Sequence, residues 1–417
     1  MKLIFLTIGL PDMNVGGGFY ADMITEMKKT GHDVTAVAAT LENQAEGLYD
    51  EGGIRVLRVP LKKMVGVKNF LKKGLAVVYM SYAYKKAYKK YLFNENFDVV
   101  FMPTPPASLV DVANLIKKKS GAKFYLILRD IHPESLKRDV IPNYVLKRND
   151  VYDECKKPYS VNKFAYWFMY RKSQKLYRDA DYIGCMSPAN IQYIEKIAFG
   201  IDWKKLLLLP NWYTETPTVD FDEKQIRAKY DLVGKYVAIY GGTIGTAQAV
   251  WNIATLAKHF KSDSKIVFLV VGRGVRKPML QDMAARDNLT NIRFLEYMPR
   301  QDYESLLRMA DVGLISLDEK YPVPTCPSKI IGYMAMKKPV IAMLNAGSDY
   351  GPYYMGNSGC GLWSENLDHK KMFANFERLY RDEKLRKQMG LSGYDYFKSN
   401  LTTEKICSIL NEQIEEK

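Results

Sequence analysis

The sequence predicts an α/β protein with two domains in series, each built around a parallel β-sheet. Short apolar runs alternate with helical patterns along most of the chain, as in parallel sheets covered by helices. The alternation stops in an irregular stretch rich in proline, threonine and acids, and then starts again. A length of 417 residues also exceeds what one core usually holds. We therefore predict a first domain at 1–209, a linker at 210–222, a second domain at 223–391 and a polar C-terminal helix at 392–417.

The first domain opens with a strand, a glycine-rich turn and a helix. The apolar run Lys2–Thr7 precedes Gly16-Gly17-Gly18, and a helical pattern follows to Gly31. Further strands are predicted at Val34–Ala38, Ile54–Val59, Val99–Met102, Phe124–Leu128, Tyr182–Met186 and Leu206–Leu209.

The second domain repeats this pattern. Strands are predicted at Tyr236–Tyr240, Ile266–Val271, Ile292–Leu295, Val312–Ile315 and Pro339–Met343, with a helix at Lys329–Met336. Glycine-bearing loops follow the first two of these strands.

Composition and charge exclude several classes of protein. The five cysteines and four histidines show no metal or disulfide spacing, which is typical of a reducing cytoplasm. No apolar run approaches the length of a membrane-spanning helix. The net charge of +15 is concentrated in the first half, and residues 52–94 carry eleven basic residues and no acidic one. This excess indicates an anionic partner.

Four glycine-bearing loops fall at the carboxyl ends of predicted strands: Gly16–Gly18, Gly241–Gly245, Gly272–Gly274 and Gly347. Open parallel sheets bind ligands at this edge, where glycine lets the backbone approach a phosphate. Each loop alone is also compatible with a simple tight turn. The P-loop spacing is absent and Gly16–Gly18 lacks the full dinucleotide fingerprint, so neither a P-loop NTPase nor a nicotinamide enzyme is favoured.

The most informative stretch begins Val323-Pro-Thr-Cys-Pro-Ser-Lys-Ile-Ile-Gly332 and continues to Ala342. It resembles the family 4 nucleotide-sugar glycosyltransferases, in the branch similar to fucosaminyltransferases and other surface-polysaccharide enzymes. Supporting motifs across the chain include Asp130-Ile-His-Pro-Glu-Ser135, Leu209-Pro-Asn-Trp212, Tyr240-Gly-Gly-Thr-Ile-Gly-Thr-Ala-Gln248, Val271-Gly-Arg-Gly274 and Ser358-Gly-Cys-Gly361.

The resemblance implies a GT-B fold, in which two Rossmann-like domains face a cleft and the last helix crosses back to the first domain. It implies a retaining transfer of a sugar from a nucleotide diphosphate, here UDP, to a polyprenyl-linked glycan. The nucleotide-sugar is a substrate, and neither a separate cofactor nor a metal is expected. These expectations place the protein at the inner face of the membrane, with no nucleic-acid partner.

Donor-binding residues follow from this resemblance and from charge. Ser328 and Lys329 are expected to meet the diphosphate at a helix start, where an ammonium stabilises the leaving group. Arg273 and Lys277 either add positive charge or are ordinary surface residues. Further donor contacts are assigned to Gly17, Gly18, Gly242, Thr243, Tyr297, Met298 and Pro299.

Acid–base candidates cluster after the strand Phe124–Leu128. Asp130, His132 and Glu134 offer two carboxylates and an imidazole to orient or deprotonate an acceptor hydroxyl. A turn whose polar groups cap local backbone would have the same composition.

Two departures from the family pattern keep alternatives open. Pro324 and Gly332 occupy the positions of two glutamates that many members carry, and Thr243 stands where an arginine is common. A catalytically degenerate binding subunit would show such changes. A nucleotide-sugar epimerase on the same scaffold is the second alternative.

The segment 61–93 interleaves nine lysines with apolar and aromatic residues. Such a pattern is typical of a helix lying on anionic lipid. It also suits nucleic acid, or a plain surface helix with one buried face. The membrane interpretation agrees with a polyprenyl-linked acceptor.

Overall fold

The computed structural model describes residues 1–61, 70–136, 163–216, 221–321 and 323–415. It divides the chain into a first unit, Met1–Pro210 with Cys407–Lys417, and a second unit, Asn211–Ile406. The fold class predicted from the alternating pattern is confirmed, because each unit has a sheet of parallel strands with helices between them.

The sheet of the first unit has eight strands in the order β3-β4-β2-β1-β5-β6-β7-β8. Its strands are β1 (Lys2–Leu6), β2 (Asp33–Ala39), β3 (Gly47–Glu51), β4 (Ile54–Val59), β5 (Val99–Pro103), β6 (Lys123–Leu128), β7 (Tyr182–Cys185) and β8 (Leu206–Leu208). Its helices are α1 (Phe19–Lys29), α2 (Phe70–Tyr91), α3 (Val110–Ser120), α4 (Lys163–Asp179) and α5 (Pro188–Ile197). Strands β2 to β4 lie on one side of β1 and strands β5 to β8 on the other, so the strand order reverses between β1 and β5. Open parallel sheets bind ligands at such a reversal.

Strand β3 was not predicted, and it makes the edge of this sheet antiparallel. Gly52 and Gly53 form the turn into β4 with φ of 62° and 74°, a conformation that glycine adopts without strain. The carboxylate of Glu51 pairs with the guanidinium of Arg58 at 2.5 Å, and both side chains are buried. The hairpin thus encloses an ion pair inside the first unit.

The second unit has a six-stranded sheet in the order β11-β10-β9-β12-β13-β14, the Rossmann arrangement. Its strands are β9 (Tyr236–Gly241), β10 (Ile266–Val271), β11 (Ile292–Leu295), β12 (Val312–Ser316), β13 (Val340–Leu344) and β14 (Gly361–Glu365). Its helices are α6 (Glu223–Lys229), α7 (Trp251–His259), α8 (Lys277–Arg286), α9 (Arg300–Met309), α10 (Lys329–Ala335), α11 (Gly356–Ser358), α12 (His369–Arg381) and α13 (Glu383–Asn400). Strand β14 was also missing from the prediction.

The last helix, α14 (Thr403–Glu415), runs across the division at Ile406. Its later residues bind elements of the first unit: Gln413 accepts a hydrogen bond from the Tyr125 hydroxyl at 2.6 Å and donates one to the Leu208 carbonyl at 3.1 Å. The C-terminal segment was predicted as 392–417, but α13 lies wholly in the second unit. Part of the predicted linker, 217–220, lies outside the described residues.

Candidate functional site

The winding of the second sheet reverses between β9 and β12, and two glycine loops lie at this edge. The first follows β9 and the second follows β10. The amide of Gly242 donates to the Val271 carbonyl at 2.9 Å, and the amide of Ile244 donates to the Arg273 carbonyl at 3.0 Å. The two loops therefore form one connected backbone surface.

Glycine is required where these loops touch. A Cβ on Gly272 would lie 2.1 Å from the Gly242 carbonyl oxygen, and a Cβ on Gly274 would lie 2.1 Å from that of Ile244. Gly242 is exposed, and a Cβ there would meet no atom within 4 Å. The predicted residues Gly242 and Thr243 thus lie on an open surface, supported by a neighbouring loop that has no room for a side chain at positions 272 and 274.

Lys329 begins α10 and directs its ammonium toward this edge. Its Nζ lies 3.9 Å from the centre of the Tyr240 ring, at the end of β9. Burial lowers the pKa of Lys329 to about 7. Within the part of the chain that the structure describes, the Lys329 ammonium contacts the Tyr240 ring and no carboxylate. An anion bound here would supply the missing counter-charge.

Tyr240 joins the ammonium to the first glycine loop. Its ring face carries Lys329, and its hydroxyl donates to the Thr243 carbonyl at 3.0 Å. Tyr333 of α10 is buried, and its hydroxyl hydrogen is shared between the carbonyls of Ile239 on β9 and Leu314 on β12. Tyr333 is therefore a packing residue, whereas Tyr240 orients groups at the surface.

Ser328 lies at the start of α10, and its predicted contact with the diphosphate stays a prediction. Ser328 precedes α10 in a helical conformation and makes no side-chain cap, and α10 has only seven residues. The Lys329 ammonium adds a full positive charge to the partial charge of the N–H groups at this helix start.

The other predicted cations of this edge differ in their pairing. Arg273 is exposed, and its guanidinium lies 4.8 Å from the Tyr297 ring centre. Lys277 instead is buried, and its ammonium contacts a Glu296 carboxylate at 2.6 Å. Arg276 was not predicted; it pairs with Asp318 at 2.9 Å in a buried position. Arg273 is thus better placed than Lys277 to meet a ligand.

Tyr297, Met298 and Pro299 follow β11, next along the same edge. Tyr297 is 67% exposed although it is a large aromatic residue. Met298 is half-buried and Pro299 is exposed before α9. Tyr297 with Arg273 presents a flat aromatic and cationic surface that a planar base can stack upon.

In the first unit, the loop with Gly17 and Gly18 follows β1 and leads into α1. Both glycines have positive φ, 77° and 136°. The Arg129 guanidinium lies 3.6 Å from the ring centre of Phe19, the first residue of α1. The glycine loop and the segment after β6 therefore meet, and Arg129, which the sequence analysis missed, is the residue that joins them.

Asp130 and His132 follow β6 in that segment. Thr104, after β5, donates its hydroxyl to the Asp130 carbonyl at 3.1 Å and thereby ties the two loops together. Desolvation by the surrounding protein raises the pKa of the Asp130 carboxyl, while the charge of Arg129 opposes this shift. Burial lowers the pKa of His132 to about 4, so its imidazole is neutral at neutral pH.

Glu134 does not share this position. It is buried, at 2% exposure, and the Tyr166 hydroxyl of α4 donates to its carboxylate at 3.4 Å. Its charge contributes to the raised pKa of Tyr166, after the larger effect of burial. Glu134 thus faces the packing between the 3₁₀ turn Glu134–Leu136 and α4.

The basic segment 61–93 is described from residue 70 onward, and residues 62–69 lie outside the description. Helix α2 buries Tyr84, Ala87 and Tyr88 against the sheet. Its opposite face exposes Lys86, Lys89 and Lys90. The helix is amphipathic here, with lysines on the exposed side.

The described residues contain neither a helix suited to span a membrane nor a cluster of metal ligands. None of their helices combines the length and hydropathy needed to cross a bilayer. They also contain no group of three His, Cys, Asp or Glu side chains arranged around a common point for a metal ion.

Residues 222–396 match the family model described as Glycosyl transferases group 1. This match lies inside the second unit and spans less than half of the chain. It includes every donor-site residue predicted in the second unit.

Two curated proteins are similar in sequence. The probable glycosyltransferase WbjE of Pseudomonas aeruginosa is 23% identical over 282 residues, which cover 67% of this chain and 65% of WbjE. The putative colanic acid biosynthesis glycosyl transferase WcaI of Escherichia coli K12 is 28% identical over 144 residues, 33% of this chain and 34% of WcaI. The matches thus span less than two thirds of the length of these relatives.

Among solved structures, Anabaena Alr3699/HepE in complex with UDP and glucose resembles the whole chain. The TM-score is 0.69 at 13% identity, and the alignment covers 100% of both chains. The fold is GT-B, as the sequence motifs predicted. The family model and the two relatives support the resemblance to nucleotide-sugar glycosyltransferases, while the fucosaminyltransferase-like branch stays a prediction.

Proposed function

We propose that this chain is a retaining glycosyltransferase that moves a sugar from a UDP-sugar to a glycan acceptor carried on a polyprenyl lipid. The observation that carries the proposal is the Lys329 ammonium, which lies beside an open glycine loop at the β9–β12 edge with an aromatic face as its assigned partner. The match of 222–396 to the glycosyltransferase group 1 model supports it.

The donor would be held mainly by the second unit. Its diphosphate would lie against the open surface at Gly242 and Thr243, with Lys329 and Arg273 supplying positive charge. The base would stack near Tyr297, with the backbone of Met298 and Pro299 beside it. HepE, the structural neighbour, is known in complex with UDP, which favours a uridine nucleotide.

Chemistry at this site needs charge stabilisation on the leaving group. As the bond from the sugar to the diphosphate breaks, negative charge grows on the phosphate oxygen, and Lys329 in its protonated form would stabilise it. The acceptor hydroxyl would attack on the face from which the diphosphate departs, so that the configuration is retained. Asp130, in the first unit, is the residue we assign to orient or deprotonate that hydroxyl.

A nucleotide screen followed by a transfer assay tests the proposal. We expect UDP to raise the thermal unfolding temperature more than GDP, ADP or UMP, because binding to the folded state stabilises it. Incubation of UDP-sugars with lipid-linked glycans should then release UDP only when the acceptor is present. Absence of nucleotide binding by a folded protein would contradict the assignment.

Two alternatives give different results in the same assay. Interconversion of a UDP-sugar without acceptor would indicate an epimerase. Binding of UDP without transfer to any acceptor would indicate a binding subunit, which the glycine at position 332 and the proline at position 324 make worth testing. Gly332 is buried in α10 and has no side chain, so this position offers no carboxylate to the donor.

We propose further that α2 holds the protein at the inner face of the membrane. Each exposed lysine near an anionic surface contributes about 1 kcal/mol at best. Changing Lys85, Lys86, Lys89 and Lys90 together to glutamate should abolish flotation with liposomes that contain anionic lipid. A matched control changes four lysines on other surfaces of the first unit, Lys118, Lys123, Lys196 and Lys204. Equal flotation of both variants would exclude this surface.

A further inference from the structure

A groove with a volume of about 380 Å³ lies within the first unit, among α2, α4 and the start of α3. Its walls come from Val78 and Tyr82 of α2 and from Phe168 of α4. At about 30 Å³ for a water-sized group, this volume holds roughly a dozen carbon atoms with their hydrogens. The groove is therefore large enough for one short apolar chain.

The mouth of the groove exposes apolar surface. Val78 is 56% exposed and Tyr82 is 62% exposed. Apolar side chains gathered around a concave surface indicate a binding partner, because isolated exposed residues would be spread over the protein.

The polar lining of the groove is positively charged. The Asp111 carboxylate, on α3, contacts the ammonium groups of Lys172 at 2.7 Å and Lys175 at 2.6 Å. Burial acts to raise the pKa of Asp111, but the two lysines outweigh it and hold that pKa below its ordinary value. One carboxylate thus faces two cations.

Lys85, one turn after Ser81 on α2, adds a further positive charge to the lining. Within the described residues it has no assigned ion pair. The hydroxyls of Ser81 and Ser108 also line the groove. The lining therefore combines apolar walls, two hydroxyls and an excess of cations, which complements a molecule with an apolar chain and an anionic head.

We propose that this groove binds a phosphorylated amphiphile, with its chain against Val78, Tyr82 and Phe168 and its phosphate near Lys85. The inference rests on the proposed transferase function, since such a molecule would be the lipid-bearing end of the acceptor. A flat anionic membrane would use the outer lysines of α2, whereas the groove selects a single chain. No bond is made or broken at this site.

Direct binding to the full chain tests the proposal without membranes. Farnesyl phosphate, kept below the concentration at which it aggregates, is titrated calorimetrically in parallel with farnesol and with inorganic phosphate. We expect saturable one-to-one binding of farnesyl phosphate, and affinities at least about tenfold weaker for each of the other two, because each retains only part of the interaction.

Substitutions locate the binding. Val78→Trp should fill the groove and weaken farnesyl phosphate binding at least about tenfold, and Lys85→Gln should weaken it severalfold. Val233→Trp, at a 67% exposed position of the second unit, and Lys118→Gln, on an exposed part of α3, are the matched controls. Thermal unfolding checks that each variant is folded.

The outcomes separate this inference from the proposed function. Unchanged binding in folded Val78→Trp, or equal affinity for farnesol or phosphate, would overturn the groove proposal. If UDP binds and transfer to a lipid-free glycan proceeds while farnesyl phosphate does not bind, the transferase proposal stands and the groove proposal fails. If farnesyl phosphate binds but no sugar is transferred, the groove proposal stands and the transferase proposal fails.

Discussion

Replacing Lys329 by methionine should change nucleotide binding and stability in opposite directions. Burial lowers the pKa of Lys329 to about 7, so the charged form of this side chain reduces the free energy of unfolding of the ligand-free protein. Methionine keeps a similar length and removes the charge. We therefore expect Lys329→Met to bind UDP-sugars weakly and, without ligand, to unfold at higher free energy than the wild type.

The pH dependence of affinity follows from the same pKa. If the diphosphate binds the protonated ammonium, the apparent affinity follows the protonated fraction of Lys329. With a pKa of about 7, that fraction falls about 25-fold between pH 6.5 and 8.5, equivalent to about 2 kcal/mol of binding free energy. UDP-glucose is a suitable probe because its two phosphates keep the same charge across this range.

The stability effect has a defined sign. The unfolded lysine titrates near its ordinary pKa of 10.5, above that of the folded protein, so the unfolded state binds more protons between pH 7 and 10.5. The wild-type free energy of unfolding should therefore rise with pH through this window. Lys329→Met should lose this slope, and at pH 7 it should gain at most about 4 kcal/mol.

Calorimetric titrations of UDP-glucose at several pH values, with urea unfolding at the same values, measure both effects. Lys224→Met is the matched control, since Lys224 is exposed on α6 of the same unit. The reasoning would be refuted if wild-type affinity did not change with pH, or if Lys329→Met bound UDP-glucose as tightly as the wild type. A destabilised ligand-free variant would show that Lys329 serves packing.

Four further substitutions test other parts of the structure. Gly272→Ala places a Cβ 2.1 Å from a carbonyl of the neighbouring loop, so we expect a loss of about 1–3 kcal/mol in urea unfolding and weaker UDP binding; unchanged values would refute the loop contact. Asp130→Asn should lower the transfer rate about 10²-fold, whereas Glu134→Gln should mainly lower thermal stability, and equal kinetic effects would contradict this division. Arg58→Met leaves the Glu51 carboxylate buried without its partner and should cost about 3–5 kcal/mol in chemical denaturation; a loss under about 1 kcal/mol would show that the ion pair is unimportant.

Continuous apolar runs are the clearest strand signal in the sequence. The run Ile266–Val271 is buried throughout, and its predicted and observed bounds coincide. The two missed strands lie at sheet edges, where only one face is buried. Gly47–Glu51 alternates exposed and partly buried residues, and the Gly52-Gly53 turn was the available signal for its hairpin.

The candidate site was predicted where a motif marks it, and missed where the role depends on a distant partner. Lys329 belongs to a recognisable motif. The importance of Tyr240 and Arg129 appears only in the structure, because Lys329 and Phe19 are far from them in sequence. A count of charges in the sequence also does not show that the Lys277 ammonium pairs with the carboxylate of Glu296, which belongs to another loop.

The pairing of cations at the glycine-loop edge argues that a ligand supplies the missing negative charge. Two of the four cations there, Arg276 and Lys277, have carboxylates in contact, so the fold readily provides counter-ions where a charge serves packing. Among the described residues, Lys329 and Arg273 contact the faces of Tyr240 and Tyr297 but no carboxylate, whereas Arg276 has both a carboxylate and the Trp251 ring. An aromatic face stabilises a cation without neutralising it, by about 0.5–2 kcal/mol. It can therefore hold each charge in place while leaving it available to an anion, which a carboxylate partner would prevent.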